Sequence, residues 1–423
     1  MPKFRAPRGT TDLLPEEQPY WDFVSGQVER LCRAYGYGRI EPPVFEDAAL
    51  FERSVGAETD IVQKEMYTFQ DKGGELLALR PEGTASVCRA YLEHGMHNLP
   101  QPVRLYYLLP MFRYERPQAG RYRQFHQFGF EAIGEGDAAL DAEVIDLSWQ
   151  LYQAFGLRDL TLVLNSIGTP ESRSRYHQAL REYYRPHLDQ VCADCRARFE
   201  RAPLRLLDCK QDAALAEAAP RSLDHLDDDS ARHFQQLRAY LDALGVPYKL
   251  DHRLVRGLDY YTRTVYEIQP AQEGSQSAIG AGGRYDGLIQ ELGGPPTPGV
   301  GFAGGVERII LNLKRQGRQV GPGAAPSAFV ASLGEEAKTA AVRIAGELRR
   351  AGITALMGLG GRSLKAQLRQ AGALGAPYAV IIGGDELAAG VATVRDLARG
   401  EQESVPLVGL AQWLEARVVR PPS

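Results

Sequence analysis

A segment rich in glycine, proline and alanine divides this chain of 423 residues into two unequal parts. Residues 317–327 read GRQVGPGAAPS, and a stretch of this composition continues neither a helix nor a strand, which is typical of a linker. At about 150 residues per domain, the length corresponds to two or three domains. We therefore predict a large domain over residues 1–316, a linker over residues 317–327 and a smaller domain over residues 328–423.

The smaller part alternates short β-rich segments with amphipathic helical segments. The β-rich segments are residues 328–333, 378–382 and 391–395. The helical segments are residues 335–350, 363–373 and 410–418. This alternation predicts an α/β domain in which helices cover a mixed sheet.

The larger part begins with helical patterns and continues with strands rich in aromatic residues and glycine. Apolar spacing over residues 24–35 follows one face of a helix. Residues 103–115 and 125–133 are strand-like and predict a long antiparallel hairpin with a basic loop. Charged helical sequence over about residues 168–220 predicts a helical insertion, and strand character resumes over residues 254–269.

Charge and composition narrow the class of protein. Lys and Arg number 49 and Asp and Glu number 53, so bulk positive charge cannot hold this chain to nucleic acid, although a local basic site remains possible. We find no apolar run long enough for a membrane helix and no apolar signal-like segment at the N-terminus. Five scattered cysteines do not form a disulfide framework. We therefore expect a soluble protein of the reducing cytoplasm, without a membrane partner.

The predicted hairpin places charged side chains on one sheet surface. Because successive strand residues face opposite sides, Arg113 and Glu115 are expected to share one face of the first strand. Gln127, Gly129 and Glu131 share one face of the second strand by the same alternation. Such a surface is costly to bury unless its groups bind one another or a ligand. The alternative is a solvated outer face with ordinary surface ion pairs.

The loop of the hairpin interleaves arginines with aromatic side chains. Arg116, Arg121 and Arg123 lie close to Tyr122 and Phe125. Guanidinium groups bind phosphates in a forked geometry, and aromatic rings offer stacking surfaces for bases. This composition favours a nucleotide or nucleic-acid ligand near the loop.

A glycine-rich turn precedes the last predicted helix of the larger part. Gly299, Gly301 and Gly304 fit the G-x-G-x-x-G fingerprint of dinucleotide-binding folds. That fingerprint needs a βαβ unit and an acidic residue about 20 positions further on, whereas position 320 is Val320 and the helix runs into the linker. The dinucleotide fold is therefore disfavoured, and these glycines can equally serve close packing of a strand against a helix.

Two further segments concentrate polar and aromatic side chains. One spans eight positions and contains Arg256, Asp259, Tyr260, Tyr261 and Arg263. In the other, Pro81 and Gly83 disfavour a helix, so we predict a loop that presents Glu82 and Thr84. Each segment taken alone can be purely structural.

Together these segments resemble the class II aminoacyl-tRNA synthetases, and among them the histidyl-tRNA synthetases. GYGRIEPPVFE, with Pro43, is similar to motif 1, the dimer-forming element of the class. FRYERPQAGRYRQFHQFGFE resembles motif 2, and GVGFAGGVERI resembles motif 3. LVRGLDYYTRTVYE and GAGGRYDGL are similar to two signatures of the histidine enzymes. The resemblance covers nearly the whole chain. It implies a homodimer with an α+β catalytic domain on a mainly antiparallel sheet, a helical insertion and a C-terminal α/β anticodon-binding domain.

The resemblance also implies a two-step reaction. The carboxylate of L-histidine attacks the α-phosphorus of ATP, which gives histidyl-adenylate and pyrophosphate, and the histidyl group then passes to tRNA(His). Mg²⁺ is expected on the phosphates of ATP. The residues assigned by resemblance to charge stabilisation in the first step are Arg113 and Arg256. Those assigned to ATP are Arg113, Glu115, Phe125 and Arg308. Those assigned to histidine are Glu82, Thr84, Gln127, Glu131, Tyr260 and Tyr261.

The same resemblance assigns residues to tRNA. The hairpin loop is expected to approach the acceptor end through Arg116, Gln118, Arg121 and Arg123. In the smaller domain, the segment LGGRSLKAQ offers Arg362 and Lys365 to the anticodon. Contacts of this kind need only a local positive patch. For the charges of the smaller domain, an ordinary solvated face is an equal alternative.

Three cysteines raise the question of a metal. Cys192 and Cys195 form a C-x-x-C pair, and Cys209 follows, but a fourth ligand at a suitable spacing is not evident, although His187 and Asp208 lie near. We therefore expect no zinc and no bound structural metal.

Two other functions remain as alternatives at this point. The first is a non-catalytic relative of the same fold, the regulatory subunit of ATP phosphoribosyltransferase, which binds histidine but does not charge tRNA. Against it stand the smaller domain, the basic loop and the retained arginines. The second is a pure RNA-binding module, which does not explain Glu82, Glu131 and Tyr261 as a set.

Overall fold

The computed structural model describes residues 4–56, 59, 61–270, 278–321 and 325–417. The chain divides into two compact units, Met1–Val320 and Gly321–Ser423. Residues 322–324 of the predicted linker and residue 418 of the last predicted helix lie outside the described residues. Each unit has its own hydrophobic core and is described by itself.

The first unit combines strands and helices in an α+β arrangement. Its described strands are β1 (Gly38–Arg39), β2 (Phe45–Asp47), β3 (Tyr67–Gln70), β4 (Leu76–Leu79), β5 (Val103–Phe112), β6 (Gln124–Ile133), β7 (Leu160–Ser166), β8 (Lys249–Leu250), β9 (Thr262–Pro270), β10 (Gly280–Arg284) and β11 (Gly299–Gly305). Its described helices are α1 (Gln18–Ala34), α2 (Ala48–Val55), α3 (Thr84–Glu93), α4 (Ala138–Phe155), α5 (Pro170–Tyr184), α6 (Ala193–Arg198), α7 (Ala213–Glu217), α8 (Asp228–Leu244), α9 (Leu288–Glu291) and α10 (Val306–Arg315).

Eight strands form one large sheet in the order β1-β5-β6-β11-β10-β9-β7-β8. Every neighbouring pair is antiparallel except β1 with β5 and β7 with β8, which are parallel. The predicted antiparallel hairpin is β5–β6, the second and third strands of this sheet, and the predicted mainly antiparallel sheet is confirmed. A second, three-stranded sheet has the order β2-β4-β3.

The two faces of the large sheet have different neighbours. On one face, Phe130 stacks on Phe302 at 5.4 Å and Tyr266 stacks on Phe302 at 5.6 Å, and this aromatic row belongs to the core formed with α1, α4 and α10. Since side chains alternate along a strand, the residues between them on β6 and β11 face the other way. That opposite face carries Gln127 and Glu131, and it leaves a pocket.

The glycine-rich segment is the central strand β11, which lies antiparallel between β6 and β10. A side chain at Gly299 would lie 2.3 Å from the ring of Tyr285, and one at Gly304 would lie 2.5 Å from the ring of Phe128. The glycines therefore admit aromatic neighbours in a sheet. No βαβ unit surrounds β11, so the dinucleotide reading is wrong.

Three local predictions need correction. Strand β5 ends at Phe112, so Arg113 and Glu115 do not lie on the strand as predicted. The chain leaves the sheet there because the Tyr114 amide donates to the carbonyl of Glu65, at 2.7 Å. Strand β9 begins at Thr262, and the preceding residues 254–261 form loop and turn instead of strand. Thr84 begins helix α3, although the residues before it form the predicted loop.

The segment between β7 and β8 is helical and contains α5, α6, α7 and α8. A small core of its own holds α5 and α6 together around Tyr176, Leu180 and Phe199. Helices α6 and α7 are only six and five residues long, and helices of this length are not stable on their own in water. The conformation of α6 and α7 must therefore be stabilised by packing against other residues or by a cross-link between segments.

The second unit is an α/β fold. Its described strands are β12 (Ala328–Ser332), β13 (Ala355–Met357), β14 (Tyr378–Ile382), β15 (Val391–Asp396) and β16 (Gln402–Pro406), and its described helices are α11 (Glu335–Arg350), α12 (Leu364–Ala373), α13 (Gly384–Ala389) and α14 (Leu410–Glu415). The sheet order is β13-β12-β14-β15-β16, parallel in the first three strands and antiparallel beyond. The predicted mixed sheet is confirmed.

Membrane insertion finds no support in the helices. Within the described residues, none combines the length and the apolar composition needed to span a bilayer.

Candidate active site

A pocket of about 240 Å³, open to solvent, lies on the polar face of the large sheet. It contains most of the site residues predicted from the sequence. Those lining it are Glu82, Thr84, Arg113, Glu115, Arg121, Phe125, Gln127, Glu131, Arg256, Tyr260, Tyr261 and Arg308. The residues come from β6, from the loops after β4 and β5, from the turn before β9 and from the start of α10. Folding of the sheet therefore brings segments that are distant in sequence together on one surface.

Glu131 lies at the buried end of the pocket, where its carboxylate receives three hydroxyl donors. Thr84 donates at 2.8 Å and Tyr107 at 3.3 Å to one oxygen, and Tyr285 donates at 2.7 Å to the other. A carboxylate has about four acceptor positions, so Glu131 retains room for one more donor.

Burial at this end of the pocket also changes the pKa of the Glu131 carboxyl group. Its side chain is 1% exposed, and desolvation raises the pKa of Glu131 from 4.5 to about 8, against the opposing effect of the Tyr285 and Thr84 hydrogen bonds. Desolvation by the same pocket raises the pKa of Tyr261, so its hydroxyl stays protonated and can donate. The buried end of the pocket therefore offers one acceptor and one donor.

Glu82 has a structural task besides any role toward a ligand. Its two carboxylate oxygens accept from the amides of Thr84, at 2.7 Å, and Ala85, at 2.8 Å. These are amides of the first turn of α3 that have no partner within the helix. Burial raises the pKa of Glu82, although the two amide hydrogen bonds oppose that shift.

The arginines stand nearer the open side of the pocket. Arg113 donates to the carbonyl of Pro81 at 2.8 Å, and its guanidinium lies 5.4 Å from the ring centre of Phe125. Arg121 pairs with Glu115 at 3.1 Å. Two guanidinium groups and an aromatic ring therefore meet where the sequence predicted ATP.

Arg256 approaches the same pocket from the turn before β9. It forms an ion pair with Glu267, and its guanidinium lies 5.8 Å from the ring centre of Tyr261. Its Nε is buried without a hydrogen-bond partner, as is the side-chain oxygen of Gln127. Buried polar atoms without partners are costly, so both are suited to a polar ligand.

Arg308 lies in the first turn of α10 and lines the pocket from the side of that helix. It donates to the carbonyls of Gly120, at 3.1 Å, and Ala278, at 2.7 Å. The neighbouring Glu307 also lines the pocket and accepts from the backbone amide of His126 at 2.8 Å. The hairpin loop, β6 and α10 are thereby held together.

Some residues predicted to contact tRNA lie away from the pocket lining. Arg116 and Gln118 are exposed on the hairpin loop. Arg123 is not at the exposed tip, because its guanidinium stacks on Tyr114 at 3.8 Å. In the second unit, Arg362 is exposed and donates to Gln370 at 2.9 Å, and Lys365 is exposed on α12.

Sequence reasoning missed two tyrosines and one glycine of the site. Tyr107 and Tyr285 both bond to Glu131, and a side chain at Gly301 would lie 1.8 Å from a Glu131 oxygen. The alternation on β5 contained a signal for Tyr107, since it is paired with Gly129, whose missing side chain leaves space for the ring. Nothing local indicates that Tyr285 reaches Glu131.

We expect Gly301→Ala to disturb the buried end of the pocket. The added methyl group overlaps Glu131, so the free energy of unfolding should fall by about 1–3 kcal/mol and histidine should bind more weakly. Thermal unfolding and calorimetric titration with histidine measure both effects. Gly26→Ala is the control: nothing lies within 4 Å of a side chain there, and alanine favours the helix. Unchanged stability and affinity in Gly301→Ala would contradict this account.

Comparisons with known proteins agree with the motifs. The family model described as "Histidyl-tRNA synthetase" matches residues 9–309, and the model described as "Anticodon binding domain" matches residues 327–417. A histidine–tRNA ligase of Dehalococcoides mccartyi is 57% identical over 406 residues, covering 96% of this chain and 97% of that protein. One of Desulforamulus reducens is 52% identical over 413 residues, covering 97% and 99%.

A solved structure agrees as well. The crystal structure of apo S. aureus histidyl-tRNA synthetase matches with a TM-score of 0.83 and 40% identity, covering 97% of this chain and 100% of that one. The family model spans far more than half of the chain, and both relatives exceed 50% identity over nearly full length. By fold, motifs and relatives, this chain belongs to the histidyl-tRNA synthetase family.

Proposed function

We propose how the pocket performs the reaction of this family, in which histidine is joined to its tRNA at the expense of ATP. The observation that carries the proposal is the order of groups along the pocket. A buried acceptor and donor, Glu131 and Tyr261, occupy its inner end, and the guanidinium groups of Arg113, Arg256 and Arg308 line the rest. An imidazole suits the first set, and a triphosphate suits the second.

In the first step, a carboxylate oxygen of histidine forms a bond to the α-phosphorus while the bond from that phosphorus to the bridging oxygen of pyrophosphate breaks. Negative charge grows on the α-phosphoryl oxygens and on the leaving group. Arg113 and Arg256 are proposed to stabilise that charge from positions already fixed by Pro81 and Glu267, so little reorganisation is needed during the reaction. A guanidinium stays charged and can contact two oxygens at once.

ATP is proposed to lie between the hairpin loop and α10. Phe125 and the guanidinium of Arg308 line the pocket on the two sides of an adenine, and Glu115 accepts from its amino group. Mg²⁺ is expected with the phosphates, because it takes oxygen ligands from one or two carboxylates as well as from phosphates. The carboxylate of Glu307 lines this part of the pocket and is of the kind it takes.

Histidine is proposed to enter with its side chain toward the buried end. One ring nitrogen donates to Glu131, and the other accepts from Tyr261, which matches the neutral imidazole. Glu82 and Thr84 are proposed to hold the α-ammonium, and Gln127 offers its free oxygen to the backbone of the amino acid. Tyr260, whose ring lies 4.7 Å from that of Tyr261, closes the wall.

For tRNA, we propose that residues 1–316 act as the catalytic domain and residues 328–423 as the anticodon-binding domain. The loop residues Arg116, Gln118, Arg121 and Arg123 would approach the acceptor end. Arg362 and Lys365 would meet the anticodon. Stacking on Tyr114 makes Arg123 a support of the loop, whereas Arg116 and Gln118 are free to reach outward.

We expect the double variant Arg116→Ala, Gln118→Ala to separate the two steps. Histidine-dependent ATP–pyrophosphate exchange should be unchanged, whereas tRNA charging should slow about 30-fold, because two lost polar contacts of about 1 kcal/mol each raise the barrier by about 2 kcal/mol. The control Gln27→Ala, Arg30→Ala removes an exposed pair of the same types on α1 and should change neither rate. An equal loss of exchange and charging would contradict a tRNA role for the loop.

We propose that the chain acts as a homodimer in the cytoplasm. Phe45, Phe69 and Leu76 on the three-stranded sheet and Val44 just before it are exposed by 40–51%, which forms an apolar surface unusual for a monomer. Arg80 supports the start of this sheet from beneath, since it donates to the carbonyls of Pro42, at 2.7 Å, and Pro43, at 3.2 Å.

The dimer is tested by placing charge on that surface. The double variant Phe45→Asp, Phe69→Asp should sediment as a monomer at micromolar concentration where the unaltered chain sediments as a dimer, because two carboxylates would have to be desolvated in the interface. Leu244→Asp is the control, as Leu244 is 50% exposed at the end of α8 and away from the sheet. A dimer in both variants would place the interface elsewhere.

The decisive assay is histidine-dependent ATP–pyrophosphate exchange followed by charging of tRNA(His). Both should occur with this chain. Histidine binding without exchange would favour the regulatory alternative, and tRNA binding without histidine binding would favour an RNA-binding module.

A further inference from the structure

Three cysteines and one aspartate meet in the helical segment, outside the pocket described above. The Sγ atoms of Cys192, Cys195 and Cys209 and a carboxylate oxygen of Asp212 all lie within 4.8 Å of one another. In the part of the chain that the structure describes, this is the one cluster of three or more potential ligands of this kind. Cys192 and Cys195 flank the start of α6, and Asp212 directly precedes α7.

The geometry of the cluster is close to that of a tetrahedral metal site. Zinc–sulfur bonds of about 2.3 Å in a tetrahedron put two sulfur ligands about 3.8 Å apart. The Sγ atoms of Cys192 and Cys209 are 3.7 Å apart. A disulfide would need about 2.05 Å between the two sulfurs, so the observed separation corresponds to two ligands of one ion.

The spacing of the four residues has the form of a zinc site once Asp212 is counted. Two residues separate Cys192 from Cys195, and two residues separate Cys209 from Asp212. The pattern is thus two ligand pairs of equal spacing joined by a loop, as in many structural zinc sites. Neither His187 nor Asp208, the candidates considered from the sequence, belongs to the cluster.

Hydrogen bonds already orient two of the four ligands. The backbone amide of Cys192 donates to both oxygens of Asp212, at 3.2 and 3.1 Å, which fixes the carboxylate toward the sulfurs. The amide of Cys195 donates to the Sγ of Cys192 at 3.4 Å. Outer hydrogen bonds of this type hold ligands in place in metal sites.

We propose that Cys192, Cys195, Cys209 and Asp212 bind one Zn²⁺ ion, with three thiolate ligands and one carboxylate ligand. Thiolates select zinc over hard ions such as Mg²⁺ and Ca²⁺, and four protein ligands leave no open position for catalysis. The site is therefore structural. It replaces the expectation from the sequence that no zinc binds.

The ion accounts for how two very short helices are kept in place. It connects the start of α6 to the segment before α7, beside a small core that contains Cys195. A small core gains stability from a structural metal, because the ion cross-links segments that pack weakly.

The same cross-link reaches toward the catalytic pocket. Cys209 and Glu267 line a second cavity on the same face of the large sheet as the pocket, and Glu267 pairs with Arg256. Fixing Cys209 thereby fixes the wall behind an arginine of the pocket.

The test is metal analysis of the full chain, reduced, loaded with Zn²⁺ and then desalted. We expect one zinc per chain, with a dissociation constant below about 0.1 µM. Co²⁺ in place of Zn²⁺ should give the thiolate-to-cobalt absorption of a tetrahedral site. Less than a tenth of one equivalent in chain whose thiols are all reduced would overturn the proposal, as would a Cys192–Cys209 disulfide in chain purified under reducing conditions.

Matched variants assign the ligands. Cys209→Ser and Asp212→Asn should each lower zinc affinity at least tenfold, whereas Cys32→Ala and Asp208→Asn should keep one zinc. Asp212→Cys completes a four-cysteine set and should bind zinc at least as tightly as the unaltered chain, which guards against the possibility that Asp212→Asn fails through misfolding. Equal zinc affinity in Asp208→Asn and Asp212→Asn, or loss of zinc in Asp212→Cys, would contradict the assignment of Asp212.

Discussion

Replacing Arg256 by alanine should lower the rate of histidine-dependent ATP–pyrophosphate exchange by about 10²–10³-fold, the usual loss when one preorganised donor to a growing negative charge is removed. Arg256 lines the pocket with an unpartnered Nε, and its ion pair with Glu267 sets its position before substrate binds. Arg256→Lys keeps the charge but not the forked geometry, and it should recover only part of the rate.

Controls separate this loss from a loss of folding. Arg256→Ala leaves Glu267 without its cation, so the double variant Arg256→Ala, Glu267→Gln removes both charges and should restore stability without restoring exchange. Arg253→Ala removes a nearby arginine that pairs with Asp251 and does not line the pocket, and its exchange rate should stay within about twofold of the unaltered rate. Full activity in a folded Arg256→Ala variant would remove Arg256 from the mechanism.

Replacing Glu131 by glutamine should lower kcat/KM for histidine by at least about 10³-fold, because a polar site left with the wrong partner rejects its ligand strongly. At the same position the amide reproduces the neutral form of the carboxyl group, since it accepts from Thr84 and can donate to the hydroxyl of Tyr285. Activity and stability should therefore change in opposite directions.

The raised pKa of Glu131 determines in which direction Glu131→Gln changes the stability of the fold. The pKa of Glu131 is raised from 4.5 to about 8 in the folded chain, so between those values the folded state binds more protons than the unfolded state, and stability falls as pH rises. Glutamine does not ionise, so the Glu131→Gln variant lacks this pH-dependent loss of stability. Its unfolding midpoint should match that of the unaltered chain below about pH 4.5 and exceed it above pH 8.

Urea or thermal unfolding at a series of pH values measures this difference. Glu135→Gln, at an exposed glutamate just beyond the same strand, should change neither the pH dependence nor the activity. A Glu131→Gln variant that is less stable than the unaltered chain at pH 8.5 would show that the ionised carboxylate stabilises the fold, so that the pKa of Glu131 is not raised by folding.

Regular patterns in the second unit were predicted closely. Helix α11 and strand β14 have the bounds expected from their sequence patterns. Helix α11 is a continuous segment with one buried face, and β14 is a short apolar strand that is almost fully buried. Strands β13 and β16 were missed: the first has three residues, and the second is polar and mostly exposed. Edge strands of this kind are formed by pairing with β12 and β15, and pairing leaves no local pattern.

The predicted strand over residues 254–269 was too long at its beginning. Aromatic residues such as Tyr260 and Tyr261 favour strands by composition, yet they lie in the turn before β9 and line the pocket. Arg113 and Glu115 depart from the strand pattern for a similar reason, since they follow the end of β5. The types of residue in a binding pocket are set by the ligand that they contact, so they do not have to follow the alternation of a strand.

The sequence by itself determined the two-part organisation, the α/β fold of the smaller domain and the motifs, since these depend on composition, periodicity and short-range spacing. The antiparallel sheet of the larger domain was implied by the resemblance that the motifs carry. Only the tertiary structure decided how Glu131 is surrounded and which acid joins the cysteines. Tyr285 meets Glu131 across 154 positions of chain, and the folded loop selects Asp212 although Asp208 is nearer to the cysteines in sequence. Such contacts arise from strand order and loop geometry, and these distant pairings are fixed only when the whole core packs.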